Sequence, residues 1–282
     1  MNGQGADRGM RTSVGDADVP RMAELFGEPS RARILMALLD GRALPASRLA
    51  DEAGVSPPAA SAQLARLQSA GLITVEQSGR HRYYSLAGAE VAAVLEAMAA
   101  IAPPKPVRSL REGTRAHALR TARTCYDHLA GQLGVAVTRG LLNHGALASV
   151  DGVPGLHRRP GDELSSPGRN NPYTLGPEAV PVLARLGVDL PAVRSRVTTT
   201  GRPLLRFCLD WTEQQHHLAG GLGAALLEAL IANGWLIRPL RGREVHLTES
   251  GSAGLARCLG VPPQQAVKAE PLARHSATPD RS

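Results

Sequence analysis

Aromatic residues make up only 3% of the 282 residues, with two tryptophans and two phenylalanines. That scarcity argues against a carbohydrate-binding or base-stacking surface and points to cores of leucine and alanine. Cysteine is nearly as rare. Cys125, Cys208 and Cys258 are too few for a disulfide framework and leave an odd thiol, which fits a reducing compartment. No run approaches the ~18 apolar residues of a membrane span. A secretory hydrophobic segment is also missing, so the sequence predicts a cytoplasmic protein with no membrane partner. GxSxG and P-loop motifs are absent. Gly131-x-x-Gly134 and Gly220-Gly221-x-Gly223 are too short for a dinucleotide fingerprint and are expected to follow helices rather than strands. No enzyme is expected.

A 43% hydrophobic chain of this length buries a substantial core and suggests about two domains. Lys and Arg number 32 against 25 Asp and Glu, a net charge of +7 that favours a polyanionic partner through counterion release.

Residues 49 to 86 give that charge a context. Leu49, Ala50 and Ala53 predict the inner face of a short helix that Gly54 ends in a tight turn. Ser56 then stands as N-cap and Pro57 at the first helical position. Ala60, Leu64 and Leu67 recur at helical spacing, and Gly71 closes the helix. Ile73, Val75, Tyr83 and Tyr84 flank a Gln77-Ser78-Gly79-Arg80 turn, predicting a two-stranded ribbon with a basic tip. Such a helix fits a major groove and such a ribbon fits the phosphates beside it. The candidate DNA contacts are Ser56, Ser61, Gln63 and Arg66 on the helix and Arg80, His81 and Arg82 on the ribbon. With Pro58, Ala59 and Ala62 on the same helix, direct base readout is thin, and DNA shape has room to contribute.

Residues 20 to 102 resemble the ArsR/SmtB family of dimeric bacterial repressors. The resemblance rests on residues 25 to 35 (LFGEPSRARIL), the Val55-Ser56 helix start, Ala70-Gly71-Leu72-Ile73 and residues 79 to 86 (GRHRYYSL). It implies a homodimer on double-stranded operator DNA, repression released by a ligand, and Arg31 and Arg33 near the phosphates or on a solvated face. The apolar stripe Val91, Val94, Leu95, Met98 and Ile101 fits the dimer helix, or a surface docked on the rest of the chain. The family's usual metal ligands are missing from the helix before the reader and from the dimer helix, so a signal would be received elsewhere.

The second half repeats itself. Residues 128 to 134 (HLAGQLG) recur as residues 217 to 223 (HLAGGLG), and Leu141, Gly145 and Leu147 align with Leu230, Gly234 and Leu236. The expected fold is mainly α with small β-hairpins: an N-terminal winged helix-turn-helix followed by two degenerate winged-helix-like repeats. Their reader-like helices carry Val135, Val137, Ala224 and Leu226 where bases would be read, which points to packing. The expected boundaries are a disordered arm over 1–18, the winged helix over 19–102, a linker over 103–112, a sensory or assembly domain over 113–261 and a disordered tail over 262–282. Residues 150–172 are expected to form a long mobile loop.

Ahead of each repeat stands an echo, Cys125-Tyr126-Asp127-His128 and Cys208-Leu209-Asp210-Trp211, the second followed by His216 and His217. Cys125, Asp127, His128, Cys208, Asp210, His216 and His217 are ligand types for a soft or borderline divalent metal such as zinc or cadmium. In a helix, Cys125 and His128 would share one face. The alternatives are buried thiols with capping aspartates, and an apolar pocket lined by Trp211, Tyr126 and Phe207 for an organic inducer. Three functions stay open: a regulator sensing a metal or a thiol-reactive signal, a sensor of an organic inducer, and a ligand-independent DNA-binding protein whose second half assembles subunits.

Overall fold

In the computed structural model, described for residues 16–78, 81–103, 110–160, 162, 171–239 and 242–262, two apolar cores meet along the chain. The first is built by α1 (Val19–Gly27), α2 (Pro29–Leu38), β1 (Leu44–Pro45), α3 (Ala46–Ala53), α4 (Pro57–Ser69), β2 (Ile73–Ser78), β3 (His81–Leu86) and α5 (Ala89–Ile101). Local chemistry sets these elements. The Glu28 carboxylate accepts the first amides of α2, and the Ser30 hydroxyl and those amides hold its pKa down to about 2. Gly54 ends α3 in the left-handed region at φ 69°, and Pro57 and Pro58 open α4 after Ser56. Ser56 sits at the N-cap without a side-chain capping bond, so its hydroxyl stays free.

The strands order as β1-β3-β2, with Ile73 opposite Leu86 and Ser78 opposite His81. Ile34, Leu35, Leu38, Leu49, Leu64 and Leu67 are buried together beneath them. The helices α3 and α4 and the ribbon thus form a winged helix-turn-helix. Residues 1–15, 79–80, 104–109 and 263–282 lie outside the described residues, and with them most of the expected arm, the wing tip, the linker and the tail.

The second core belongs to α6 (Leu110–Thr121), β4 (Arg123–Cys125), β5 (His128–Ala130), α7 (Gly131–Asn143), β6 (Leu147–Ser149), β7 (Tyr173–Leu175), α8 (Ala179–Arg185), α9 (Leu190–Thr200), β8 (Arg206–Leu209), β9 (His216–Ala219), α10 (Gly220–Ala232), β10 (Leu236–Ile237), β11 (His246–Leu247) and α11 (Glu249–Leu259). The α6 helix begins inside the stretch expected as linker. Two antiparallel hairpins, β4–β5 and β8–β9, each run directly into a buried helix, α7 and α10. Both glycine-rich stretches therefore follow strands, not helices as the sequence suggested. Their glycines allow close packing: a Cβ at Gly134 would lie 2.5 Å from the Leu129 carbonyl oxygen, and one at Gly223 2.7 Å from that of Leu218. Val135, Val137, Ala224 and Leu226 are buried.

Two further expectations are corrected. Of the loop expected over 150–172, residues 161 and 163–170 lie outside the described residues, while 150–160 follow a packed course: Leu156 is buried, His157 bridges to Gln215, and the Arg159 guanidinium bonds Asp151 and lies over the Tyr173 ring. Among the described residues, Trp211, Tyr126 and Phe207 are packed apart from one another. Phe207 packs on Tyr173, Trp211 lies against the Arg123 guanidinium, and Tyr126 reaches the winged-helix core.

Candidate DNA interface and metal centre

Along α4, Ala60, Leu64 and Leu67 face the core, which leaves Ser56, Ser61 and Arg66 exposed on the opposite side. His81 and Arg82 are exposed at the start of β3, and Arg80 lies outside the described residues. Gln63 is different. It is half-buried, and its Oε1 accepts a 2.9 Å hydrogen bond from Arg31 Nη1. Arg31 is itself buried and also donates to the Leu25 and Glu24 carbonyls, so it ties α1, α2 and α4 together and faces neither phosphate nor solvent. Arg33 stays exposed while donating to the Ala53 carbonyl. Among the described residues of this surface, Arg66 and Arg82 are exposed cations without an ion-pair partner. Replacing Arg66 or Arg82 by alanine is expected to weaken binding to every DNA sequence and to lower the salt slope by about one each. Fluorescence anisotropy across a salt series measures this, and unchanged slopes would remove both from the phosphate contacts.

The second half brings four of the seven expected metal or ligand residues together. Cys125 pairs with His128 across β4–β5, and Cys208 pairs with His217 across β8–β9. Each hairpin thus contributes one thiol and one imidazole from directly opposed positions, not from the helical face that the spacing suggested. A helix is ruled out locally because Tyr126 adopts φ 57° and turns the chain back after two residues. The four donor atoms lie within 4.8 Å of one another, with Cys125, His128 and His217 buried and Cys208 half-buried. His128 Nε2 and His217 Nε2 are 3.2 Å apart. Tetrahedral zinc with Zn–N bonds of about 2.0–2.1 Å sets two imidazole nitrogens about 3.3 Å apart, so the pair already has the spacing a shared ion needs.

Carboxylates stand behind both imidazoles. Asp127 Oδ1 is 3.4 Å from His128 Nδ1, and Asp210 Oδ2 is 3.9 Å from His217 Nδ1. Only the Asp127 contact is within hydrogen-bond distance and orients its imidazole; His217 Nδ1 is buried without a hydrogen-bond partner among the described residues. Burial pushes the His128 pKa down, but Cys125 and Asp127 outweigh it and raise the group to about 9. Burial and the neighbouring His128 drive His217 the other way, to about 3. The Cys125 thiol is pushed well up by hydrogen bonding with the free Cys208 thiol and by burial. Without an ion the site therefore holds protons that a soft cation would displace.

The other three expected ligands face elsewhere. Asp127 forms a two-point ion pair with Arg202, at 2.6 and 3.0 Å. Burial raises its pKa, yet His128 and Arg202 bring it to about 2. Asp210 has no exposed side-chain surface and accepts from Arg123 Nη2 at 2.9 Å, Gly131 N–H at 2.7 Å and the Thr212 backbone and hydroxyl. It is a capping and pairing group, and it occupies the start of α7, where an anion would otherwise bind. His216 Nε2 is 2.9 Å from Asp162 Oδ2, and its Nδ1 is 3.1 Å from the Tyr173 hydroxyl.

A junction missed by the sequence lies around this cluster. The Tyr126 N–H donates a 2.8 Å bond to the Leu39 carbonyl at the end of α2, and a Cβ on Gly41 would lie 3.0 Å from the Tyr126 carbonyl oxygen. The Thr124 N–H donates to the Arg243 carbonyl at 2.9 Å, while Arg243 Nη1 meets Glu96 Oε1 of α5 at 2.7 Å, with both side chains buried. A second contact runs from Arg42 Nη1 and Nη2 to the Pro239 and Gly242 carbonyls. The only sequence signal for it was the polar Glu96 within an otherwise apolar α5 stripe.

Comparison with known proteins matches residues 26–76 to a family described as a helix-turn-helix domain. The chain is similar to the HTH-type transcriptional regulator YdfF of Bacillus subtilis, at 37% identity over 244 residues, covering 86% of this chain and 98% of that protein. It is also similar to the HTH-type transcriptional regulator CmtR of Mycobacterium tuberculosis, at 34% over 80 residues, covering 28% of this chain and 67% of the relative. Among solved structures, the cadmium metal-sensor CmtR from M. tuberculosis matches at 30% identity over 33% of this chain and all of that one, with a TM-score of 0.26.

Proposed function

We propose, for a chain that belongs to the HTH-type transcriptional regulators and whose winged helix resembles the ArsR/SmtB type, that a soft or borderline divalent metal ion is the signal and that Cys125, His128, Cys208 and His217 receive it. DNA-binding regulation of transcription follows from the family. The observation that carries the sensing step is the convergence of one thiol and one imidazole from each hairpin. Two thiolates and two imidazoles suit zinc or cadmium, and hard cations that demand oxygen ligands fit poorly.

The proposed coupling runs through the turn between the ligands. An ion bound by both hairpins would clamp β4–β5 to β8–β9 and pull the two thiols in around it, and the same turn carries the Tyr126 bond to Leu39 and, through Thr124, the Arg243–Glu96 pair on α5. The outer face of α5 exposes Val94, Met98 and Ile101, and α1 exposes Val19 and Met22, an apolar surface suited to a second copy of the chain. Moving α5 would change the spacing of two reader helices, and metal would then release the operator. The finer repeat reading fits the same picture: each hairpin and its following helix are offshoots of one ancestral winged unit that keep packing and lose base-reading residues.

Glu96→Gln tests the route. It leaves the four ligands in place, so metal affinity should change less than threefold. The metal-dependent change in DNA affinity, of order 5- to 150-fold for typical allosteric coupling, should collapse towards unity. A variant with full metal response would place the coupling elsewhere. A wild-type protein that binds metal without any change in DNA affinity would favour the assembly reading of the second half.

A further inference from the structure

A cavity of about 290 Å³ opens between α5 and the two hairpins, close to the lower end of small-molecule sites. Its α5 wall is made of small side chains, Ala89, Ala92 and Ala93, and Pro203 and Ala219 continue the apolar lining. Cys125, His128 and Cys208 reach its surface, but the ion they would share leaves most of this volume unfilled.

Not every charge around the cavity has a direct partner. Glu96 is neutralised by Arg243 and Asp127 by Arg202. Glu90, in the first turn of α5, also lines the cavity but is solvent-exposed at its rim. Arg206 remains: it is half-buried, it lines the cavity, and among the described residues its guanidinium has neither a carboxylate nor a hydrogen-bond acceptor. A half-buried guanidinium without a partner is costly, and its forked donors match a carboxylate.

We propose that this cavity binds a small organic carboxylate, with its head group on Arg206 and its hydrocarbon part against Ala89, Ala92 and Pro203. One unpartnered guanidinium, a rim carboxylate at Glu90 that repels multiply charged anions, and an apolar lining favour a monoanion with a short aliphatic chain over a phosphate. Because its walls come from α5 on one side and the hairpins on the other, the ligand would touch both halves of the protein. The inference goes beyond the metal reading and does not depend on it.

Calorimetric titration of the full-length protein with hexanoate, hexanol and hexylamine tests the proposal. Hexanoate should bind at one site per chain, and the uncharged and cationic analogues at least tenfold more weakly. Arg206→Gln should weaken hexanoate at least tenfold, and Ala89→Leu, which fills the cavity, should do the same. Zinc affinity, measured on the same samples, should stay within threefold for both variants and certify that the fold is intact. No binding of hexanoate, equal binding to Arg206→Gln, or equal binding of hexylamine would overturn the carboxylate site. Loss of hexanoate binding with zinc binding retained removes this proposal alone. Arg206-dependent hexanoate binding by a protein that takes up no zinc removes the metal reading alone.

Discussion

Cys125→Ser and Cys208→Ser are each expected to lower zinc affinity by roughly a hundredfold to a thousandfold, and the double variant by more. A serine hydroxyl stays protonated and is a poor ligand for a soft ion, so each change removes one of four bonds from a site whose whole binding free energy is on the order of 10 kcal/mol. Both thiols sit on paired strands directly opposite their imidazoles, so the substitutions leave the hairpin backbone hydrogen bonds intact. DNA affinity without metal should therefore be unchanged. Competition against a chromophoric chelator gives the metal affinity and anisotropy gives the DNA affinity. Cys258 is an internal control: it is buried on α11 against the Arg185 carbonyl and outside the four-residue cluster, so Cys258→Ser should leave zinc binding as it was. Equal affinities for wild type and the two site variants would remove the thiols from the site.

The second large effect is on stability. Arg123 and Asp210 form an ion pair 2.9 Å apart with no exposed side-chain surface on either partner. Burial of Asp210 opposes its ionisation, but His217 and Arg123 prevail and hold its pKa well below the usual carboxylate range. Arg123→Met leaves that carboxylate buried without its cation and should cost about 3–5 kcal/mol, whereas removing both charges in Arg123→Met/Asp210→Asn should recover part of the loss. The sign of the pH dependence follows from the lowered pKa. The contribution of Asp210 is fully present above its unfolded value, close to the reference 3.8, and is lost as pH falls toward the folded value. Both tryptophans, Trp211 and Trp235, lie in the second half, so urea unfolding followed by their fluorescence reports this core. An Arg123→Met protein that unfolds at the wild-type urea midpoint would contradict the assignment.

How much of this the sequence makes legible depends on how local the determining chemistry is. The winged helix is readable because short-range signals fix it: Gly54 for a left-handed cap, Pro57 at a helix start, Gly71 at a helix end and alternating residues around a turn. The role of Gln63 and Arg31 is not readable, because their bond joins α4 to α2 across 32 residues. For the metal cluster the residue types and their repetition were visible, but the arrangement was not. Asp127, Asp210 and His216 stand as near in sequence as the four residues that converge. Only the backbone reversal at Tyr126 and the strand pairing turn them toward Arg202, Arg123 and Tyr173 instead. The α9 helix had usable signals, with Asp189 accepting from the Ala192 N–H and Leu190, Val193 and Val197 buried on one face. The junction at Leu39, Glu96 and Arg243 had almost none, since its contacts are single backbone or side-chain bonds between distant segments.

The most direct test of the account is the affinity of the full-length protein for a duplex that it selects from a random pool, measured by anisotropy with and without saturating zinc or cadmium. Sensing through the two hairpins predicts that metal weakens DNA binding at least fivefold in the wild type and not at all in Cys125→Ser/Cys208→Ser. Identical DNA affinities with and without bound metal, or a metal effect that survives loss of both thiols, would contradict it.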